Sequence, residues 1–296
     1  MKFNNFLPPE VAHLTEPTSI ALAQNIKQTS INTPLSQQPI ATTYVNQGSG
    51  GTPILLLHGF DSSVLEFRRL LPALAAENQT WAVDLLGFGF TERLTGIPFS
   101  AADIKTHLYH FWKTLINEPV ILVGASMGGA AAIDFTLDYP QSIKKLVLLD
   151  SAGYTMGATI GKYLFWPLDY LAVEFLRLPK VRENISKNAY YNQSFVTADA
   201  LLCTALHLKL PDWHRALKAF TKSGGYRSFR QQLSQISQPT LIVWGESDQI
   251  LGTGDADKFK SAIANSQLIW IADCGHVPHL EQPQITAKHI LDYRDY

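Results

Sequence analysis

The chain has 296 residues, long enough for one large domain or two modest ones, and 46% apolar against 17% charged residues is a globular composition that excludes disorder. Its 24 basic and 25 acidic side chains leave a net charge of −1, without the basic excess of a nucleic-acid binder. No run approaches the roughly 18 apolar residues of a membrane span, and the first ten residues lack the apolar stretch of a secretory signal. Two cysteines, Cys203 and Cys274, read as reduced thiols in so long a chain, and a cytoplasmic location is expected.

Residues 1–39 form an N-terminal arm, polar and loop-like over 29–39. Beyond it, short β-rich runs at 40–45, 54–57, 80–83, 120–123 and 146–149 alternate with helical patterns at 64–76, 101–116 and 130–137. The runs at 54–57, 120–123 and 146–149 are apolar throughout, as for strands buried on both faces. Alternation stops for about 90 residues, then resumes with strands at 240–244 and 267–271 and helices at 256–264 and 285–291. Strict alternation implies crossover connections, hence an α/β fold with a mainly parallel central sheet flanked by helices. Ligands of such sheets bind at the carboxyl ends of the strands.

Gly124-Ala125-Ser126-Met127-Gly128-Gly129 lies between a buried strand and a helix. A strand that turns sharply into a helix strains its apex residue, and small residues two before and two after the apex let the segments approach. Here the apex is Ser126, flanked by Gly124 and Gly128. Its hydroxyl is exposed beside the unpaired N–H groups of a helix N-terminus.

With this turn in place the sequence resembles the α/β-hydrolase superfamily. Leu57-His58-Gly59-Phe60-Asp61 is similar to the family's oxyanion loop, and Asp84-Leu85-Leu86-Gly87-Phe88-Gly89-Phe90-Thr91 to its structural loop after the fourth strand. Trp244-Gly245-Glu246-Ser247-Asp248 resembles the acid-bearing loop, and the stretch from Cys274-Gly275-His276 to Pro283 the histidine-bearing loop. The resemblance implies Ser126 as nucleophile, His276 as general base and Asp248 as its orienting acid, in the chain order of that fold. It also implies the backbone N–H groups of Phe60 and Met127 as oxyanion donors. His58 takes a structural role by the same comparison, and Asp84 is assigned no chemistry.

Glu246, Asp255 and Asp257 compete with Asp248, and His279 competes with His276, although His279 is expected in the first turn of the last helix. The other histidines, including His107, His110, His207 and His214, read as surface or lid residues. None has a convincing metal-ligand context, so no metal and no cofactor are expected. Asp61 either lines the site mouth or caps its loop.

The family places a helical lid between strands 6 and 7, here residues 151–235, with core segments at 40–150 and 236–296. Lid helices are expected at 164–178, 198–210 and 213–220, with Gly224-Gly225 as stop and hinge. Residues 151–230 hold 13 aromatics, a density of 16% against 9% elsewhere, which suits a substrate with apolar bulk or merely packs a small helical cap. The same stretch carries 11 basic and 5 acidic residues, which attract an anionic substrate or membrane surface, or simply form a solvated helix face.

The expected partner is a small molecule, with no nucleic acid and no spanning helix, and the oligomeric state is not readable. Carboxylic-ester hydrolysis leads. Carbon–carbon bond hydrolysis of a vinylogous diketone acid and a slowly hydrolysing ligand receptor are the alternatives, and Ala125 departs from the asparagine usual in the first of these.

Overall fold

A computed structural model describes residues 3–155, 163 and 165–294. Eight strands form one sheet in the order β1-β2-β4-β3-β5-β6-β7-β8, numbered along the chain. They are β1 (Lys27–Ile31), β2 (Ile40–Gln47), β3 (Ile54–Leu57), β4 (Thr80–Val83), β5 (Val120–Ala125), β6 (Ile143–Leu149), β7 (Thr240–Gly245) and β8 (Ser266–Ile271). β2 is antiparallel to both β1 and β4, and every other pairing is parallel.

Alternation along each strand divides the core in two. Leu55, Leu57, Leu122 and Trp244 face one cluster, and Ile54, Leu56, Val123 and Val243 face the other. On the first face pack α3 (Ala101–Leu115), α4 (Met127–Asp138) and α9 (Ala256–Ala262); on the second pack α1 (Pro17–Gln24), α2 (Leu70–Ala75) and α11 (Pro283–Arg294). Because β4 and β5 lie on opposite sides of β3, the chain reverses direction there and opens a crevice at the carboxyl ends of β3 and β5.

Among the described residues four α-helices lie between β6 and β7: α5 (Leu168–Arg177), α6 (Pro179–Ala189), α7 (Ala198–Ala205) and α8 (Trp213–Ser223). The expected start at residue 164 lies outside the described residues. Helix α6 carries no strong apolar stripe, with only Ser186 and Ala189 buried, and was not expected. Gly224 stops α8 in a left-handed conformation at φ 92°. Trp213 and Phe220 join the first core cluster while Cys203 and Leu206 join the second, so the insertion bridges both faces over the strand ends.

Three other expectations change. Residues 27–31 form an edge strand inside the arm, where Ile31 is the one buried side chain and no alternation marks it. The expected helix at 64–76 splits into a 3-10 turn, Val64–Phe67, and α2, because Pro72 is tolerated only in a first turn. His107 is buried rather than superficial. It shares the inward face of α3 with Ile104, Leu108 and Phe111, lies 2.7 Å from the Thr42 hydroxyl through Nε2, and is pushed down to about 3 by burial.

The arm is anchored at its bend. Asp199 on α7 accepts hydrogen bonds from the Thr15 and Glu16 N–H groups and the Ser19 hydroxyl. Glu16 in turn holds Arg69 in a two-pronged contact at 2.7 and 2.8 Å, which lowers its pKa from 4.5 to about 2. A carboxylate with a depressed folded pKa stabilises above its unfolded pKa and loses that contribution as pH falls through the folded value. The stability gap between wild type and Glu16→Gln is therefore expected to be constant above pH 4.5 and to close between 4.5 and about 2, as read by urea unfolding across that range. A gap that persists undiminished at pH 2 contradicts the assignment.

Candidate active site

Ser126 follows β5 with φ 52° and ψ −118°, a strained conformation for a side-chain-bearing residue that costs on the order of 1–3 kcal/mol. Its N–H donates to the Leu149 carbonyl at 2.9 Å, and its own carbonyl accepts from Gly129 and Ala152 at 2.9 and 3.0 Å. A Cβ at Gly124 would lie 2.3 Å from the Gly128 carbonyl oxygen, and one at Gly128 would lie 2.1 Å from that of Leu57. Helix α4 thus starts in backbone contact with the end of β3. Met127 is its first residue, so its N–H points along the helix axis without an intrahelical acceptor.

The loop after β3 is fastened from two sides. His58 lies 2.8 Å from the Gly59 carbonyl through Nδ1 and accepts from the Leu85 N–H at 3.1 Å through Nε2, joining the β3 and β4 loops. Gly59 donates to both Glu66 oxygens, and His279 Nε2 lies 3.1 Å from Glu66. Burial works to raise the Glu66 pKa, but His279 and the neighbouring His58 outweigh it and hold the carboxyl at about 2. Below them Asp84 accepts from the Val64 and Phe90 N–H groups at 2.6 and 2.7 Å, and burial pushes it up to about 7.

Asp248 and His276 meet across the loops after β7 and β8. Asp248 accepts from the Ile250 and Leu251 N–H groups at 2.7 and 3.1 Å through Oδ1, and its Oδ2 lies 2.9 Å from His276 Nδ1. With Nδ1 so engaged, Nε2 is the ring nitrogen left for other work. Ser126 and His276 line one cavity of about 240 Å³ together with Phe60, Leu176, Ile185 and Leu280. The competing acids lie elsewhere: Glu246 and Asp257 are exposed, and Asp255 binds Thr155 and Lys258. His279 occupies a separate short helix, α10 (Pro278–Glu281), rather than the first turn of α11.

Several buried groups here escaped the sequence reading. Asp150 follows β6 and accepts from the Gly245 N–H at 2.9 Å. Burial, reinforced by the charge of Asp248, pushes its carboxyl well above the usual range beside the Asp248–His276 pair. Its position immediately after a strand was the available signal. Asp150, Asp248 and His276 are the set among the described residues with the spacing to hold a cation. The Nδ1–Oδ2 hydrogen bond engages groups that ligation would require.

Asp61 lines the cavity while its carboxylate takes Arg182 and Trp213 at 2.7 Å and His207 at 3.1 Å, all from the insertion. Burial opposes its ionisation, but the His207 hydrogen bond and the Arg182 charge prevail and hold Asp61 at about 2. Burial also keeps His207 below its ordinary value, so Arg182 is the cation of this cluster. Glu281 performs a similar task for the histidine loop, accepting from the Gly275, Tyr191 and Asn192 N–H groups. The His276 N–H itself donates to the Ala189 carbonyl at the end of α6 at 2.7 Å.

A strained serine at a strand–helix turn, facing a carboxylate-bound histidine at the carboxyl ends of a mainly parallel sheet, defines a hydrolase-type α/β architecture. The chain belongs to the alpha/beta hydrolase fold family, whose model matches residues 52–283. It is 35% identical to the alpha/beta hydrolase domain-containing protein VTE7 of Arabidopsis thaliana, over 98% of this chain and 90% of that protein. It is 26% identical to the 2-hydroxy-6-oxo-2,4-heptadienoate hydrolase of Pseudomonas putida, over 90% of this chain and 98% of the relative. Among solved structures, an esterase from Thermogutta terrifontis shares its fold with a TM-score of 0.77 at 23% identity, over 90% and 97% of the two chains. Among the described residues no helix is long and apolar enough to cross a membrane.

The Glu281 clamp gives a direct stability test. Glu281→Ala leaves three backbone N–H groups without their acceptor, at an expected cost of about 3 kcal/mol or more in urea unfolding, whereas a surface substitution such as Glu118→Ala stays within about 0.5 kcal/mol.

Proposed function

We propose that the chain is a serine hydrolase acting on a carboxylic ester with apolar bulk. The observation that carries this reading is the shared cavity: Ser126 and His276 open onto one apolar space, and His276 is oriented through Nδ1 by Asp248. The Ser126 hydroxyl oxygen attacks the ester carbonyl carbon as His276 Nε2 takes its proton. Charge developing on the carbonyl oxygen is received by the N–H groups of Phe60 and Met127. Collapse of the tetrahedral species expels the alcohol, which takes the proton from His276, and leaves an acyl ester on Ser126. Water, deprotonated by the same nitrogen, then releases the acid and restores the serine.

Residues 151–235 act in this reading as a lid over a core formed by 40–150 and 236–296, with 1–39 as the arm. Support comes from Leu176 and Ile185, which line the cavity from α5 and α6. A cytoplasmic location is supported by Cys203 and Cys274, both buried free thiols.

One observation favours a second reading, carbon–carbon hydrolysis of a vinylogous diketone acid. Arg68 is buried at the cavity wall; Glu16 lies 3.9 Å from its Nε, and its Nη2 has no hydrogen-bond partner and could meet a substrate carboxylate. Relatives named for such substrates are consistent with it.

Ser126→Ala and His276→Ala are each expected to lower kcat for p-nitrophenyl butyrate by roughly three to six orders of magnitude, and Asp248→Asn by about 10²–10⁴. Undiminished turnover by Ser126→Ala removes the nucleophile assignment. Failure of a fluorophosphonate probe to label Ser126 favours a binding protein of the same fold. A substrate panel of ester chain lengths beside one dienoic diketone acid separates the two hydrolytic readings, and preference for the diketone acid that is lost in Arg68→Met supports the second.

A further inference from the structure

Helix α5 carries apolar side chains on the side that faces away from the protein. Its inward side holds Val173, which is buried, and Asp169, paired to Lys218 at 3.0 Å. The opposite side presents Leu168, Leu171, Phe175 and Leu178, each half or more exposed, at the spacing that aligns them along one stripe. The turn before the helix extends the stripe with Phe165 and Trp166, which are 73% and 78% exposed. Burial of such side chains away from water is favourable. Among the described residues nothing covers them. A contiguous apolar face of this kind marks an interaction surface.

We infer that this face docks on a lipid bilayer surface, with α5 lying in the interface and the turn at Phe165–Trp166 inserted among the acyl chains. Three observations select a membrane over a protein partner. The feature is one stripe of exposed side chains along a single helix and the turn before it, which fits a deformable planar surface. Its composition, with Trp and Phe at one end and Leu along the stripe, is that of helices that lie at the membrane interface. Exposed Lys180 follows the stripe directly, and Arg177 and Lys187, ion-paired to Glu174 and Glu183, lie on the same helices, within a stretch (residues 151–230) holding 11 basic against 5 acidic residues. A basic stretch of this kind complements anionic headgroups.

The cavity opens on the same side. Leu176 lines it from α5, and Ile185 both lines it and is 45% exposed, so apolar surface runs from the stripe to the space beside Ser126. Docking in this orientation directs the cavity mouth at the bilayer. The docking surface stands apart from the chemistry assigned to Ser126 and can be tested without it.

The test is co-sedimentation of the full chain with phosphatidylcholine vesicles, with and without a phosphatidylglycerol fraction of about one third. Wild type is expected to pellet with the anionic vesicles, and more weakly with the neutral ones. A variant combining Phe165→Ser, Trp166→Ser, Leu171→Gln and Phe175→Gln is expected to bind on the order of ten- to a hundredfold more weakly with an unchanged melting temperature. Lys180→Glu with Lys187→Glu is expected to lower binding to the anionic vesicles alone. Wild type that stays in the supernatant with both vesicles overturns the proposal, as does binding that survives the fourfold substitution. A wild-type dimer that the fourfold variant converts to monomer, with no vesicle binding by either, assigns the face to a second copy of the chain instead. Fluorophosphonate labelling of Ser126 in each variant reports on the chemistry separately, since none of the substituted residues lines the cavity.

Discussion

Nothing larger than a hydrogen atom fits at residues 124 and 128, and the site depends on that exclusion. With glycine at both positions, the first turn of α4 rests against the carbonyls that end β3, and the strained Ser126 is held between them. The approach fixes several relations at once. It brings the N–H of Met127 to the side of the crevice where Phe60 follows β3, and it sets the distance from Ser126 to the loops of β7 and β8 through the parallel register of the sheet. A side chain at either glycine would separate the strands' carboxyl ends where the crevice forms.

Around this contact the loops are held by buried carboxylates rather than by apolar packing. Asp84, Asp248 and Glu281 each accept from two or more backbone N–H groups, Glu66 takes the Gly59 N–H on both oxygens, and Asp61 binds three side chains of the insertion. Loops carry unpaired backbone donors that a strand ladder would otherwise satisfy, and a carboxylate answers several of them from one side chain. The arrangement makes the strand ends rigid where a cavity has to remain open. It also concentrates charge in a low-dielectric region, where the environment drives the acids' pKa values apart: Asp150 and Asp84 are pushed upward, Asp61 and Glu66 downward.

Much of this was legible in the amino-acid sequence, unevenly and for physical reasons. β3 and β4 match their expected bounds because strands buried on both faces read as short apolar runs bracketed by turns. The placement of Ser126, Asp248 and His276 at strand ends was readable because turn chemistry is local. What escaped depends on distant partners. β1 is an edge strand whose pairing with β2 leaves four of its five side chains at least partly exposed, so it has no period to detect. Helix α6 is polar on most of its surface and is held at both ends, by Arg182 on Asp61 and by the Ala189 carbonyl on the His276 N–H. His107 shows that a buried histidine can keep the period of a core face, a signal that was present and was read by residue type instead. The Glu281 contacts with Tyr191 and Asn192 join residues about ninety positions apart, and no local pattern announces them.

The hydrogen bond from His276 N–H to the Ala189 carbonyl has a mechanical consequence. The backbone that carries the imidazole is continuous, through a single short bond, with the end of α6, and Glu281 doubles the attachment through Tyr191 and Asn192. Withdrawing α6 as a rigid body would therefore pull on the histidine loop and disturb its alignment with Asp248. The insertion is jointed rather than free. Its α6 end moves only with the loops beneath it, and α5, which meets α6 at Leu178 and accepts from Arg182 at the Leu176 carbonyl, is carried along with it. A displacement of either helix is therefore transmitted to the backbone that bears His276.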